Sequence, residues 1–407
     1  MVEKGSGDAL PYTHVFIKGT NVGTTSDTDG SFILTYDKGA VKSDSLFVSY
    51  LGYSTYKTVL AGIKEELLVT LAPDMFEMSE FVIRPGENPA WAILRHAIAN
   101  KKDNDIKSSK AYRCEEYSKI RFDLNHFTEK IKKNLLLKPF DYIWANVDTT
   151  QEGVTFLPVL IVEKFIRHYN RVNPEGTTDE LLATKTSGLA GPKLMAFVQD
   201  LYQAPDFYND YVVILDKNFP GPLNENYKNN YKFHLTDSMT GATGKVYKIT
   251  FKPKQRHGLA FTGDMMIDST TGGLKEINVR FDILANINFV RSFFIHQEYE
   301  LLNGKDWVVS ASNVLGDFTV IENSSDLTGF FGRKNSTFKN YEIGAGTPNE
   351  LLRLHTRETE ADSASSRSEA YWEQARYNEL TQPDKEVFKM SNRLEKDRAF
   401  LFRKNLI

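Results

Sequence analysis

From Lys275 to Ile283 apolar and polar side chains alternate without a break, Ile277, Val279, Phe281 and Ile283 against Glu276, Asn278, Arg280 and Asp282. Strand side chains point to opposite faces at a period of two, so this segment reads as a strand with one dry and one wet face. Two-sided patterns recur at Tyr247-Ile249-Phe251, Phe261-Met265-Ile267 and Trp307-Val309-Ala311. Turn signals separate them at 241–244, 256–258, 269–273 and 303–305, each containing glycine. The stretch from Tyr112 to about Tyr341 is therefore expected to be a meander of long antiparallel strands, strongly curved or partly closed, a half-barrel. A helical insert is expected near Pro192 to Tyr202, where Leu194, Phe197, Val198 and Leu201 share a face.

Upstream, residues 11 to 71 read as short strands in series. Val15 and Ile17 alternate with His14, Phe16 and Lys18, Phe32 and Leu34 follow a turn, and Leu46, Val48 and Tyr50 alternate again. Leu67, Val69 and Leu71 close the set before Pro73. Between them Gly19, Gly23 and Gly30 suit tight turns, and Asp27 and Asp29 can bond nearby amides. That spacing suits a small antiparallel sandwich. Asn88 can cap a following helix, Pro89 fits its first position, and Trp91, Leu94 and Ile98 recur on one stripe, so a helix is expected over about 89 to 102. After Pro348 the composition shifts. A polar small-residue linker at 361–368 precedes helical segments from Tyr371-Trp372 and from Pro383 to Phe402, the latter with Val387, Met390, Leu394 and Leu401 on one stripe.

The wording Val15-Phe16-Ile17-Lys18-Gly19-Thr20, Gly23-Thr24, Asp27-Thr28-Asp29-Gly30-Ser31-Phe32 and Ser49-Tyr50-Leu51-Gly52-Tyr53 resembles the carboxypeptidase-regulatory-like domain. The resemblance implies an Ig/transthyretin-like β-sandwich. Arg84-Pro85-Gly86-Glu87-Asn88-Pro89-Ala90, with Ile93-Leu94 and Ile98, resembles the junction in a family of outer-membrane proteins of unknown function, in which that sandwich leads into a larger periplasmic part and then a carboxy-terminal β-barrel. This second resemblance extends to about residue 400. It implies an outer-membrane location facing the periplasm and a barrel partner in cis that this chain does not contain. The expected organisation is a mainly β chain: 1–83 the sandwich, 84–109 a linker helix, 110–346 the curved antiparallel sheet, and 347–407 a helical tail leading toward the barrel.

Gly263-Asp264-Met265-Met266-Ile267-Asp268, Leu274-Lys275-Glu276-Ile277 and Trp307-Val308-Val309-Ser310 are similar in pattern to the half-barrel of periplasmic lipoprotein carriers. That similarity implies a concave apolar face, lined by Phe261, Met265, Ile267, Val279, Phe281 and Ile283, able to hold an acyl chain or a partner strand. The competing expectation is that this face packs on the helical insert as ordinary core.

A formal net charge of −3 and the absence of a basic block interleaved with aromatics argue against nucleic acid as a partner. Lipid, glycan or protein are left open; 27 Phe, 19 Tyr and 4 Trp could supply sugar-stacking surfaces, although aromatics suit pleated sheets as core. Cys114 is the only cysteine, which excludes an intrachain disulfide and a cysteine-based zinc site. No apolar run is long enough to span a bilayer as a helix, and Met1-Val2-Glu3-Lys4 does not begin an export signal, which leaves either a cytosolic protein or a mature fragment whose signal has been removed; the sandwich resemblance favours the fragment.

His126-Phe127-Thr128-Glu129 and His355-Thr356-Arg357-Glu358 match the His-x-x-Glu of metallocarboxypeptidases, with His234 or His257 as a third ligand, but with eight His such matches arise by chance. The sandwich is an accessory domain in that relationship and brings no catalysis with it. Asp27-Thr28-Asp29-Gly30 lacks the remaining acidic positions of a calcium loop, Gly241-Ala242-Thr243-Gly244-Lys245 is too short for a phosphate loop, and Cys114 has no adjacent His. The expectation is therefore no catalytic residue, no metal and no cofactor: a binding or assembly role, with an apolar-ligand carrier as the alternative and a zinc carboxypeptidase-like enzyme as a remote second.

Overall fold

The computed structural model describes residues 1–4, 9–10, 13–17, 23–26, 29–36, 45–49, 56–60, 63, 66–71, 87–127, 148–149, 155–189, 205–240, 244–255, 258–282, 287, 290–319, 327–348, 358–361 and 363–396. The chain divides into two compact units, Met1–Glu87 with Val147–Phe156, and Asn88–Asn146 with Leu157–Ile407.

In the first unit β1 (Val2–Glu3) pairs in parallel with β6 (Thr70–Leu71). β2 (His14–Ile17), β3 (Gly23–Thr25), β4 (Ser45–Ser49) and β5 (Tyr56–Val59) form an antiparallel sheet in the order β3-β2-β4-β5. Alternation puts Val15, Ile17, Leu46 and Val48 in one core with Val69 and Leu71. Phe32, Leu34 and Tyr36 pack on that core from a segment that pairs with no strand among the described residues. Asp29 accepts from the Ser31 amide at 2.8 Å, and Gly30 sits at φ 74°, so the expected carboxylate-to-amide turn forms there. Asp27 and Thr28 lie outside the described residues. A two-residue strand, β8 (Asp148–Thr149), pairs with the first residues of β9 (Thr155–Val172).

The second unit opens on α1 (Pro89–Ala99), where Asn88 Oδ1 accepts from the Ala90 amide at 3.0 Å and Pro89 takes the first position. Its buried side chains are Ala90, Leu94 and Ala97, while Trp91 and Ile98 are half-buried. The expected stripe is thus shifted toward small residues. The helix backbone crosses close to the β15–β16 turn at this point: a Cβ on Gly272 would stand 3.0 Å from Ala97 Cα. The short helices α2 (Lys101–Asn104) and α3 (Ile106–Ser109) follow.

The large sheet contains β7 (Tyr112–Phe127), β9 and β10 (Glu175–Gly188). The separate hairpin of β11 (Tyr211–Ile214) and β12 (Lys217–Pro220) comes next in the chain. The sheet continues with β13 (Tyr231–Thr240), β14 (Lys245–Pro253), β15 (Thr262–Asp268), β16 (Leu274–Asp282), β17 (Val290–Leu302), β18 (Asp306–Thr319) and β19 (Leu327–Ile343). The order is β13-β14-β15-β16-β17-β18-β19-β7-β9-β10-β20, with β20 at Glu358–Glu360. This is a curved sheet that does not close into a barrel. The expected meander runs unbroken from β13 to β19; β7 then enters between β19 and β9.

The turns follow the local chemistry. In the β15–β16 turn Asp268 Oδ1 accepts from the Thr270 and Thr271 amides at 3.0 and 2.8 Å, and Gly272 takes φ 72°. Thr240 pairs with Lys245, so β13 and β14 are joined strand to antiparallel strand and not strand to helix as in a phosphate loop; residues 241–243 lie outside the described residues.

The tail also carries a strand, because β20 pairs in parallel with β10. Within the 361–368 stretch Ala364 is buried in a short turn, Ala364–Ser366. The tail helices are α4 (Glu369–Ala375) and α5 (Gln382–Lys396), burying Trp372, Val387 and Met390. The helical insert expected near Pro192 to Tyr202 lies outside the described residues, as does the end of the last helix beyond residue 396.

Candidate functional site

Register places Phe281, Phe293, Gly316, Gly332 and Phe122 directly opposite one another in five consecutive strands. Phe318 and Phe330, themselves a pair, stand two residues along on the same face. Their rings join into one series: Phe281–Phe293 at 5.2 Å and 9°, Phe293–Phe318 at 6.3 Å edge-on, Phe318–Phe330 at 5.0 Å and 19°, and Phe330–Phe122 at 5.6 Å. Phe219 of β12 extends it, stacking on Phe261 at 4.7 Å and Phe281 at 4.8 Å. Offset-stacked and edge-on rings add to area burial, so the series is a strong apolar spine.

Glycine in a strand interior is costly, and Gly316 has a specific reason to be there. A Cβ at that position would lie 2.5 Å from Phe318 Cε2 and 3.1 Å from Phe293 Cδ2. Gly316→Ala is expected to destabilise the second unit by about 1–3 kcal/mol through overpacking, as checked by urea unfolding. An unchanged midpoint would show that the spine can shift to admit a methyl group.

Of the residues picked out by pattern, Phe261, Met265, Ile267, Val279 and Phe281 share this face and are all buried. Ile283 lies outside the described residues. The protein's own chain covers part of the group: Phe219 stacks on Phe261 and Phe281, and Phe207 meets Phe261 edge-on at 6.3 Å.

Moving along the strands, the same face changes character in two steps. Val279, Ile295, Val314, Lys334 and Ile120 form the next row, and Ile277, Gln297, Ser312, Ser336 and Ser118 the one after. Gln297, Ser312, Ser336 and Ser118 are all buried. Beyond them Glu116 Oε1 accepts from Ser336 Oγ at 2.6 Å and lies 3.6 Å from Lys334 Nζ. Glu116 Oε2 faces His168 Nε2 at 2.8 Å, and His168 Nδ1 faces Asp179 Oδ1 at 2.7 Å.

Burial alone would lower the His168 pKa; the hydrogen bonds and charges of Asp179 and Glu116 outweigh it and raise the pKa to about 9. Burial would raise the Glu116 pKa, but Lys334, His168 and Ser336 hold it well below the usual carboxylate range. At neutral pH both His168 nitrogens therefore carry protons and neither has a lone pair for base chemistry. Burial pushes the Cys114 thiol up to about 12, which leaves it a poor nucleophile.

The opposite face is polar. Thr250, Asp264, Asn278, His296, Asn313, Asn335 and Lys119 stand level in seven strands. His296 contacts Asn278 Oδ1 at 2.6 Å and Glu298 Oε1 at 2.9 Å. At its β7 end Lys119 and Arg121 pair with Asp384 of α5, while Asp123 accepts from Arg121 Nε at 2.8 Å and Arg333 Nε at 2.7 Å.

Of the candidate zinc ligands, Glu129, His257 and His355 lie outside the described residues. His234 is a half-buried member of β13 whose pKa is lowered by burial and by Lys252 and Lys232. Among the described residues no group of three or more His, Cys, Asp or Glu is placed to hold a metal ion.

The buried seryl row and the Glu116–His168 cluster were not foreseen. β7 reads as alternating, with Cys114, Glu116, Ser118, Ile120 and Phe122 on one side and Tyr117, Lys119, Arg121 and Asp123 on the other. Both sets are buried. The available signal was a polar residue, Ser118, in phase with Ile120 and Phe122.

The fold and face together define an open, curved antiparallel-sheet domain, aromatic at one end of one side and hydrogen-bonding at the other, in a chain that also carries a separate small β unit. Residues 93–333 match the family of unknown function DUF5686, and the chain belongs to that family. Residues 1–83 match the CarboxypepD_reg-like domain. A search of curated proteins gave no match. Similar solved structures include a DUF1329 family protein from Desulfovibrio piger, at 11% identity over 65% of this chain and 98% of that one, TM-score 0.25. Another is a LolA superfamily protein from Nitrosomonas europaea, at 6% identity over 64% and 96%, TM-score 0.21. Likenesses at this level assign no ligand.

Proposed function

We propose that the second unit is a non-catalytic binding domain that holds an apolar chain along the aromatic face of its open sheet, in an outer-membrane protein facing the periplasm. The observation that carries the binding reading is the spine of seven phenylalanine rings across β7, β12 and the β15–β19 end of the sheet. An apolar chain laid across those rings replaces ring–ring contact with ring–methylene contact of the same kind, so exchange between covered and ligand-bound forms costs little. The hairpin β11–β12 supplies the cover at one end, through Phe219, and shares no ladder with the main sheet. The compartment and the barrel partner rest on the junction wording at Arg84–Ala90 and on membership of the family.

Protein purified without detergent is expected to carry a lipid-sized adduct in native mass spectrometry, and Phe219→Ala to change the adduct's occupancy. A clean mass for both proteins, with no uptake of added acyl lipid, would sink the binding reading. Recovery of the full-length product in the cytosolic fraction would sink the placement.

A further inference from the structure

We infer that the buried row Gln297, Ser312, Ser336 and Ser118 is a head-group subsite for an uncharged, hydrogen-bonding head on an acyl chain, an ester or a glyceride rather than a fatty-acid anion. The inference rests on the apolar-chain reading above and names the ligand class for that face. Its first support is position: the row lies on the aromatic side of the sheet, two pairs beyond Phe293, Gly316, Gly332 and Phe122, roughly 13 Å along the strands at ~3.3 Å per residue. A chain lying on the rings and running along the strands would bring its polar end there.

The second support is Ser118 itself. It is fully buried, and its Oγ has no hydrogen-bond partner. Its neighbour Ser336 is committed to Glu116 at 2.6 Å. Gln297 donates to Pro205 O at 3.3 Å and accepts from Tyr299 OH at 2.8 Å, so within the row it is Ser118 whose hydroxyl is left unmatched, and a buried hydroxyl in that state is costly unless something pairs with it. The third support is charge. Glu116 faces Lys334 at 3.6 Å, and His168 bridges Glu116 and Asp179 at 2.8 and 2.7 Å, so the cations and carboxylates of the cluster already match one another. A charged head would add an uncompensated buried charge, whereas a hydroxyl or ester oxygen meets the serines without one.

The test uses the full chain, stripped of endogenous lipid, and three probes of one chain length: monooleoylglycerol, oleate and octadecene. Monooleoylglycerol is expected to bind at least about tenfold more tightly than either of the others. Ser118→Ala is expected to weaken monooleoylglycerol about five- to tenfold and leave octadecene unchanged. The melting temperature of the unliganded variant should stay level or rise, because the deleted hydroxyl bonds to nothing. Equal affinities for monooleoylglycerol and octadecene would overturn the subsite while leaving the apolar-chain reading intact. So would a variant that binds all probes as before, which would mean that Ser118 meets a buried water only. A variant with a lowered melting temperature and a uniform loss of binding would make Ser118 structural and overturn it too. Failure of all three probes would overturn the reading and the subsite together.

Discussion

Asp384→Ala is expected to cost the second unit about 3–5 kcal/mol, the scale for removing one partner from a buried ion pair. Asp384 is buried at the start of α5, where it pairs with Lys119 and with Arg121 at 3.1 Å. It also accepts from the Thr381 amide at 2.9 Å, so the same carboxylate caps the helix. Burial would raise its pKa, yet Lys119 and Arg121 hold it well below the usual range. Alanine leaves both cations inside the protein, with Asp123 already shared between Arg121 and Arg333. Trp91, Trp307 and Trp372 belong to the second unit and the residues of the first include no tryptophan, so urea unfolding followed by tryptophan fluorescence reports on the second unit. Asp384→Asn keeps an acceptor for Thr381 but no charge and should fall between wild type and alanine. A loss below about 1 kcal/mol for alanine would mean that α5 is not anchored by this charge.

The second large effect is pH-dependent. The folded His168 pKa, about 9, lies above its ordinary 6.5, so its contribution is complete below 6.5 and fades as pH rises through 9. Wild-type stability is expected to fall between pH 7 and 10. His168→Gln should be less stable at pH 7 by roughly 2–3 kcal/mol, toward the low side of a broken buried pair because the His168 side chain is 23% exposed. The difference between the two proteins isolates this histidine from other groups titrating in the window, and it should shrink toward pH 10. A constant difference across that range would show that His168 is not the charged bridge between Glu116 and Asp179.

Much of the architecture was legible from short-range pattern. Ile277, Val279 and Phe281 are buried and Glu276, Asn278 and Arg280 lie on the other face, as their alternation requires. Asn88 and Pro89 begin α1 where capping chemistry places them. Alternation failed as a guide to exposure in β7. Lys119, Arg121 and Asp123 have the spacing of a wet face, yet α5 and β19 bury them in ion pairs. The group Phe261, Met265, Ile267, Val279 and Phe281 was visible as one apolar face, but not the Phe219 ring that sits on it.

The residues' own order settled what is local: strands from period-two patterning, turns from Gly and Asp, and helix starts from caps, because each depends on neighbours a few positions apart. Which strands lie side by side could not be read that way. β7 meets β19 more than two hundred residues later in the chain, and that pairing alone sets Ser118 against Ser336, brings Glu116 to Lys334 and ends the phenylalanine series on Phe122. Long-range register and the covering of the second face are properties of the packed sheet as a whole, and they decide where this protein is aromatic, where it is polar and where a charge can be buried.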